Sequence, residues 1–158
     1  MRFHNITSCD VNNGEGFRVT LGLAGCTHHC KGCQNPETWD FQGGRPFTDA
    51  DRDYLLNELN HPYIQGLTLS GGDPLDSFDD LLPLVRQVKA QLPGKDIWLY
   101  TGYTYEQICS SPLKGILPYV DVIVDGPYVE ALRNVTLAFR GSSNQRLLRT
   151  PFKVTETK

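Results

Sequence analysis

Cys26, Cys30 and Cys33 place three thiols within eight residues of a 158-residue chain that has five cysteines in all. Two intervening residues let two sulfurs turn onto one centre, and three let another join them. Thiolates are soft ligands, suited to iron–sulfur clusters and to zinc. No fourth cysteine lies close by. Three protein ligands and an open position describe a metal that binds something else, which is how a catalytic centre differs from a closed structural one.

Three readings follow from the triplet. A disulfide framework fits poorly, because the cysteine count is odd and a chain of this length needs no such staple. Zinc would need His28, His29, Cys9 or Cys109 as a further ligand. A [4Fe-4S] cluster on three cysteines needs none. Spacing alone favours the cluster but leaves zinc open.

The length is that of one domain, 1–158, with room for a core. The net charge of −3 excludes a basic stripe that would track nucleic acid, although Arg140, Arg146, Arg149 and Lys153 make the C-terminal end locally basic. No apolar run approaches the roughly 18 residues of a membrane span. The polar start, Met1-Arg2-Phe3-His4-Asn5, reads as no signal peptide, and free thiols then point to a reducing, cytoplasmic setting.

Residues 1–16 read as a polar, turn-rich lead-in. Phe17 to Leu23 alternates as a strand and runs into Gly25 and the cysteine loop. Thr48 with Asp51 marks a helix start, with Leu55, Leu56 and Leu59 on its apolar face. Gly66–Ser70, Asp96–Thr101 and Val120–Val124 read as further strands. A helix over Leu81–Gln91 keeps Pro83 in its first turn, where no backbone N–H is missed. Thr104 and Gln107 cap a short helix that Pro112 interrupts. Val135–Phe139 reads as a strand, Arg140–Asn144 as a surface turn or partner surface, and 150–158 as a loose tail. Strands alternating with helices predict an α/β fold, a mostly parallel open sheet with helices outside it. The cysteine loop, Gly71-Gly72-Asp73, Thr101-Gly102 and Asp125-Gly126 each follow a strand, so a parallel sheet brings them to one edge, where such folds bind ligands.

This constellation resembles the radical S-adenosylmethionine (SAM) superfamily, whose C-x3-C-x2-C loop is matched by Cys26, Cys30 and Cys33 and whose glycine motif after the second strand is matched by Gly71, Gly72 and Asp73. Within it, the chain resembles the family of anaerobic ribonucleoside-triphosphate reductase-activating proteins. The residues that carry this likeness are Pro46-Phe47-Thr48, Leu69 to Leu75, Pro93 to Trp98, Thr101-Gly102-Tyr103, Val124-Asp125-Gly126 and Arg140 to Gln145. One position departs: an aromatic often follows the third cysteine, and here Gln34 stands there.

The resemblance implies a partial (β/α) barrel. It implies one [4Fe-4S] cluster on the three cysteines, with SAM chelating the remaining iron and being cleaved reductively to a 5′-deoxyadenosyl radical. That radical would put a glycyl radical on the large subunit of the reductase, with a reduced flavodoxin-like protein as electron donor. Gly32, Cys33, Gln34, Gly71, Gly72, Asp73, Thr101 and Asp125 are the residues it assigns to SAM. Gly71 and Gly72 would let backbone approach the methionine end, and Asp73 would orient its ammonium. The plainer readings stand beside these: Asp125 as a turn residue, His28 and His29 as solvent-facing loop residues, Cys9 and Cys109 as ordinary thiols, and Trp39, Trp98, Tyr100 and Tyr103 as core or pocket packing.

Overall fold

The computed structural model describes residues 1–33 and 35–156, of which 153–156 are described as backbone. Eight strands form one sheet in the order β3-β1-β2-β4-β5-β6-β7-β8. The strands are β1 (Arg2–Asp10), β2 (Arg18–Leu23), β3 (Arg45–Pro46), β4 (Gly66–Gly71), β5 (Asp96–Tyr100), β6 (Val122–Asp125), β7 (Arg146–Arg149) and β8 (Lys153–Glu156). β2, β4, β5 and β6 run parallel, while β3, β1, β7 and β8 join antiparallel at the two edges. The sheet is mixed and does not close on itself, so the expectation of a mostly parallel sheet holds only for its centre.

The edges depart from the sequence reading for a physical reason. β1 lies within the expected lead-in, yet of its nine residues only Phe3 is buried, so it carries no two-sided apolar signal. At the other edge, β7 takes up chain to which the sequence reading assigns no element, and β8 lies in the expected loose tail. The strand expected at Val135–Phe139 is turn instead, with the Asn134 side chain accepting from the Thr136 amide at 2.9 Å and hydroxyl at 2.5 Å.

Helices α1 (Asp49–Leu59), α2 (Phe78–Gln91) and α3 (Tyr105–Cys109) follow β3, β4 and β5. α1 begins at a complete capping box: Asp51 N donates to Thr48 Oγ1, and the Asp51 carboxylate accepts from Thr48 N. Thr104 and Gln107 do the same for α3. α2 starts three residues earlier than expected, which moves Pro83 from the first turn into the second. The carbonyl left without an amide partner belongs to Asp79, whose side chain is exposed, so water can satisfy it.

The main core lies on one sheet face. Val19, Leu21 and Leu23 of β2, Leu67 and Leu69 of β4, Ile97 and Leu99 of β5 and Ile123 of β6 pack with Leu55 and Leu59 of α1 and Leu81, Val85 and Val88 of α2. The alternate residues form the second face, with a smaller cluster of Trp98, Val122, Val124 and Leu147. Its lower half is filled. Arg18 is fully buried, bonds Thr68 Oγ1 at 2.8 Å and Asp96 Oδ1 at 2.5 Å, and holds its guanidinium 5.3 Å from the Trp98 ring centre. Its upper half leads to the ends of the parallel strands.

Candidate functional site

A cavity of about 270 Å³ opens at those strand ends. Cys26, Cys30 and Cys33 line it beside Gly71, Gly72, Asp73, Thr101 and Gly102. All three cysteines are free thiols; Cys26 is buried and the other two are half-buried. Burial pushes the Cys26 thiol up, against the lowering effect of the His28 and His29 amides. Cys9 and Cys109 lie elsewhere, both exposed, so Cys109 is not packed in a small apolar niche. A larger hollow of about 550 Å³ between Met1 and Ser77–Asp80 contains no thiol.

The cysteine loop is pinned by backbone on both sides. Gly25 N donates to Thr38 O at 2.7 Å, and Cys26 N to Trp39 O at 3.2 Å. Gly72 N donates to Leu23 O and Asp73 N to Gly25 O, each at 2.8 Å. Gly71 has φ +108°, a conformation that favours glycine. A Cβ at Gly72 would meet Gly25 O at 2.3 Å. The glycine pair thus lets β4 end against the cysteine loop itself, and the room next to Gly72 is already taken by this chain's own carbonyls.

Asp73 joins the separate loops. It is 1% exposed. Its carboxylate accepts from Leu75 N at 3.0 Å, Thr101 Oγ1 at 2.9 Å and Gly102 N at 2.8 Å, and lies 2.6 Å from His28 Nε2. That contact holds the His28 imidazole above its ordinary range, although burial opposes it. His28 is therefore no solvent-facing residue; it sits half-buried in the cavity wall, edge-on to Tyr103. Asp76 repeats the tie one turn later: it accepts from Thr27 N at 2.8 Å and from the Tyr103 hydroxyl at 2.5 Å. Burial, and then Asp76, push that phenol up to about 12.

Thr101 lies in the wall as expected. Gly32, φ +77°, is exposed outside it against the Glu130 side chain, and Gln34 lies outside the described residues. Asp125 is directed away. Val124 and Gly126 line the cavity, while the Asp125 carboxylate accepts from Tyr105 N at 2.7 Å and pairs with Arg146 at 2.5 Å. His29 is exposed and stacks on Trp39. Arg140 and Ser142 are buried in a hydrogen-bonded network rather than on a surface turn, with Gln145 Oε1 accepting from Gly141 N and Ser142 N. The sequence reading missed Thr38, Tyr128, Phe139 and Gln145 in the wall: Thr38 follows the cysteine loop without a motif of its own, and Gln145 enters that reading only as the end of the Arg140 to Gln145 stretch.

The donor set can be tested against what it would hold. Among the described residues, the one set of three ligating atoms within 4.8 Å of one another is His28, Asp73 and Asp76, which already satisfy one another and their neighbours. The three sulfurs do not gather that closely, whereas one zinc with Zn–S of about 2.3 Å would draw them to within about 4 Å. Three free thiols spread around a cavity suit a polynuclear cluster better. The Trp39 indole N–H, buried in the same wall with no partner among the described residues, adds a donor that a ligand can meet.

An open α/β sheet with three spaced thiols at its strand ends defines a cluster-binding α/β domain. Residues 12–148 match the family described as a 4Fe-4S single cluster domain. The anaerobic ribonucleoside-triphosphate reductase-activating protein of Escherichia coli K12 is 43% identical over 149 residues, 92% of this chain and 96% of that protein. That of phage T4 is 47% identical over 149 residues, 93% of each, and that of Haemophilus influenzae 46% over 140 residues, 86% of this chain and 90% of that protein. The chain belongs to the family of anaerobic ribonucleoside-triphosphate reductase-activating proteins.

Proposed function

We propose that this chain is an activating enzyme that binds one [4Fe-4S] cluster and SAM and generates a glycyl radical on anaerobic ribonucleoside-triphosphate reductase. The observation that carries the reading is the convergence of Cys26, Cys30, Cys33 and the Gly71–Asp73 turn on one cavity. When bound, the cluster and SAM supply one-electron chemistry that yields a carbon radical able to take a hydrogen atom.

The chain's own residues hold and orient. Cys26, Cys30 and Cys33 provide three thiolates. Gly71 and Gly72 bring the end of β4 close to them. Asp73 locks the loops after β2, β4 and β5 into one wall, and Thr101 supports it. With its acceptor sites taken by four donors, Asp73 orients an ammonium either by exchanging one of them or through that wall. Asp125 and Arg146 hold the start of α3 rather than SAM. The four parallel strands serve as part of a (β/α) barrel left open on one side, where a large protein substrate can enter. The whole chain acts as one domain in a reducing cytoplasm, with a reduced flavodoxin-like protein as donor.

The test is anaerobic reconstitution followed by electron paramagnetic resonance with SAM, reductant and the reductase. A backbone radical should form on the intact reductase and not on a variant whose C-terminal glycine is alanine. Equal radical in both, or a small-molecule product without any reductase, refutes the reading.

A further inference from the structure

Tyr100 ends β5 on the second sheet face. Its hydroxyl is buried and has no hydrogen-bond partner among the described residues. Native interiors seldom leave such a group unmet. Burial also raises the phenol well above its ordinary range, so it stays protonated and able to donate.

Tyr100 forms part of a partition. On one side lies the thiol cavity; on the other a hollow of about 380 Å³, and Asn13, Phe139 and Gly141 share both walls with it. The second hollow is lined by side-chain amides, those of Asn12, Asn13 and Asn134. The Asn12 side chain makes no hydrogen bond among the described residues. Asn13 uses its Nδ2 on Asp10, and Asn134 its Oδ1 on Thr136, which leaves an acceptor on one and a donor on the other. Of the two arginines that line it, Arg140 is buried and donates to Ala138 O and Gln145 O, and Arg133 is exposed at the rim, where Val135, 80% exposed, offers an apolar edge. Among the described residues, no carboxylate lines the hollow. Paired amide donors and acceptors match the repeating N–H and C=O groups of a polypeptide main chain.

We propose that the Tyr100 hydroxyl, with the carboxamides of Asn13 and Asn134, holds the main chain of an extended, glycine-containing segment of the partner protein, and leads it from this hollow to the thiol cavity. The inference rests on the function proposed above. The glycine matters for passage: with no side chain, that residue can cross the partition between Tyr100 and Phe139 at close range.

The probe is a synthetic peptide carrying the glycine-bearing segment of the reductase, titrated by fluorescence anisotropy against cluster-loaded protein under anaerobic conditions. Tyr100→Phe removes one hydroxyl and keeps the ring. It should weaken peptide binding about tenfold, about 1.4 kcal/mol, at wild-type iron content. Asn134→Ala, on an exposed turn, should weaken it similarly. Wild-type peptide affinity in both variants overturns the proposal. So does a loss of SAM affinity in Tyr100→Phe with peptide binding intact, which would give the hydroxyl to SAM. If the peptide does not bind the wild type and yet the intact reductase acquires its radical, this groove is wrong and the function stands. If the peptide binds with the expected losses but no reductase radical forms, the groove stands and the function fails.

Discussion

Gly72→Ala is the most stringent test of how the site is built. The added Cβ would lie 2.3 Å from Gly25 O, 2.8 Å from Gly25 C and 2.8 Å from Thr38 O. All three are backbone atoms, so no rotamer change relieves the clash, and the cysteine loop must move. Overpacking of this kind costs about 1–3 kcal/mol. Moving the loop also opens the bonds from Gly72 N to Leu23 O and from Asp73 N to Gly25 O, at about 1 kcal/mol each. The total, about 3–5 kcal/mol, is a large part of the about 5–15 kcal/mol that holds a domain together. With a urea slope of about 2 kcal/mol/M, the unfolding midpoint of the apoprotein should fall by about 2 M. Iron and sulfide taken up on anaerobic reconstitution should drop to less than half of wild type, because Cys26 directly follows the displaced Gly25. Gly94→Ala is the control, since nothing lies within 4 Å of its added Cβ. A Gly72→Ala protein with wild-type iron and an unchanged midpoint would refute the argument that this glycine is demanded by the cysteine loop.

Serine at Cys26, Cys30 or Cys33 should abolish stable iron binding, while serine at the exposed Cys9 or Cys109 should not; iron and sulfide analysis of the five proteins decides it. Arg146→Met should destabilise the fold by about 3–5 kcal/mol, measured by urea unfolding, because Asp125 is 1% exposed and would lose its counter-charge. The Thr48 amide leads the contacts that hold the Asp51 carboxyl below its ordinary value. Its stabilisation is present above the unfolded value of about 4 and lost as pH falls through the lower folded one, so Asp51→Asn should flatten the acid limb of thermal stability. An unchanged acid limb would count against the capping box as its cause.

What the sequence makes legible is what short-range rules govern. β2, β4, β5 and β6 announce themselves because each is a short alternating or apolar stretch ending on a turn, and α1 and α3 because their caps are local. β1 and β7 are the antiparallel strands that flank the parallel centre, and each carries too little apolar signal of its own to announce its pairing. The same division holds in the site. The thiols and the glycine pair are contiguous motifs, whereas Tyr128, Phe139 and Gln145 join the wall only through tertiary packing. Asp125 is the instructive case. Val122 and Val124 face the cavity side, so strand alternation sends Ile123 and Asp125 to the other face. There Arg146, its register partner on β7, captures the carboxylate. Position after a strand placed the residue at the right edge, but the parity of the strand decides which way it points.

The packed floor beneath the cavity has a further consequence. Arg18 and Arg149 both hold their guanidinium groups over Trp98, itself 1% exposed. The chamber is stoppered from below by packed side chains and opens at the strand ends, so whatever seats deepest by that route arrives before a partner blocks the threshold and departs after that partner has withdrawn.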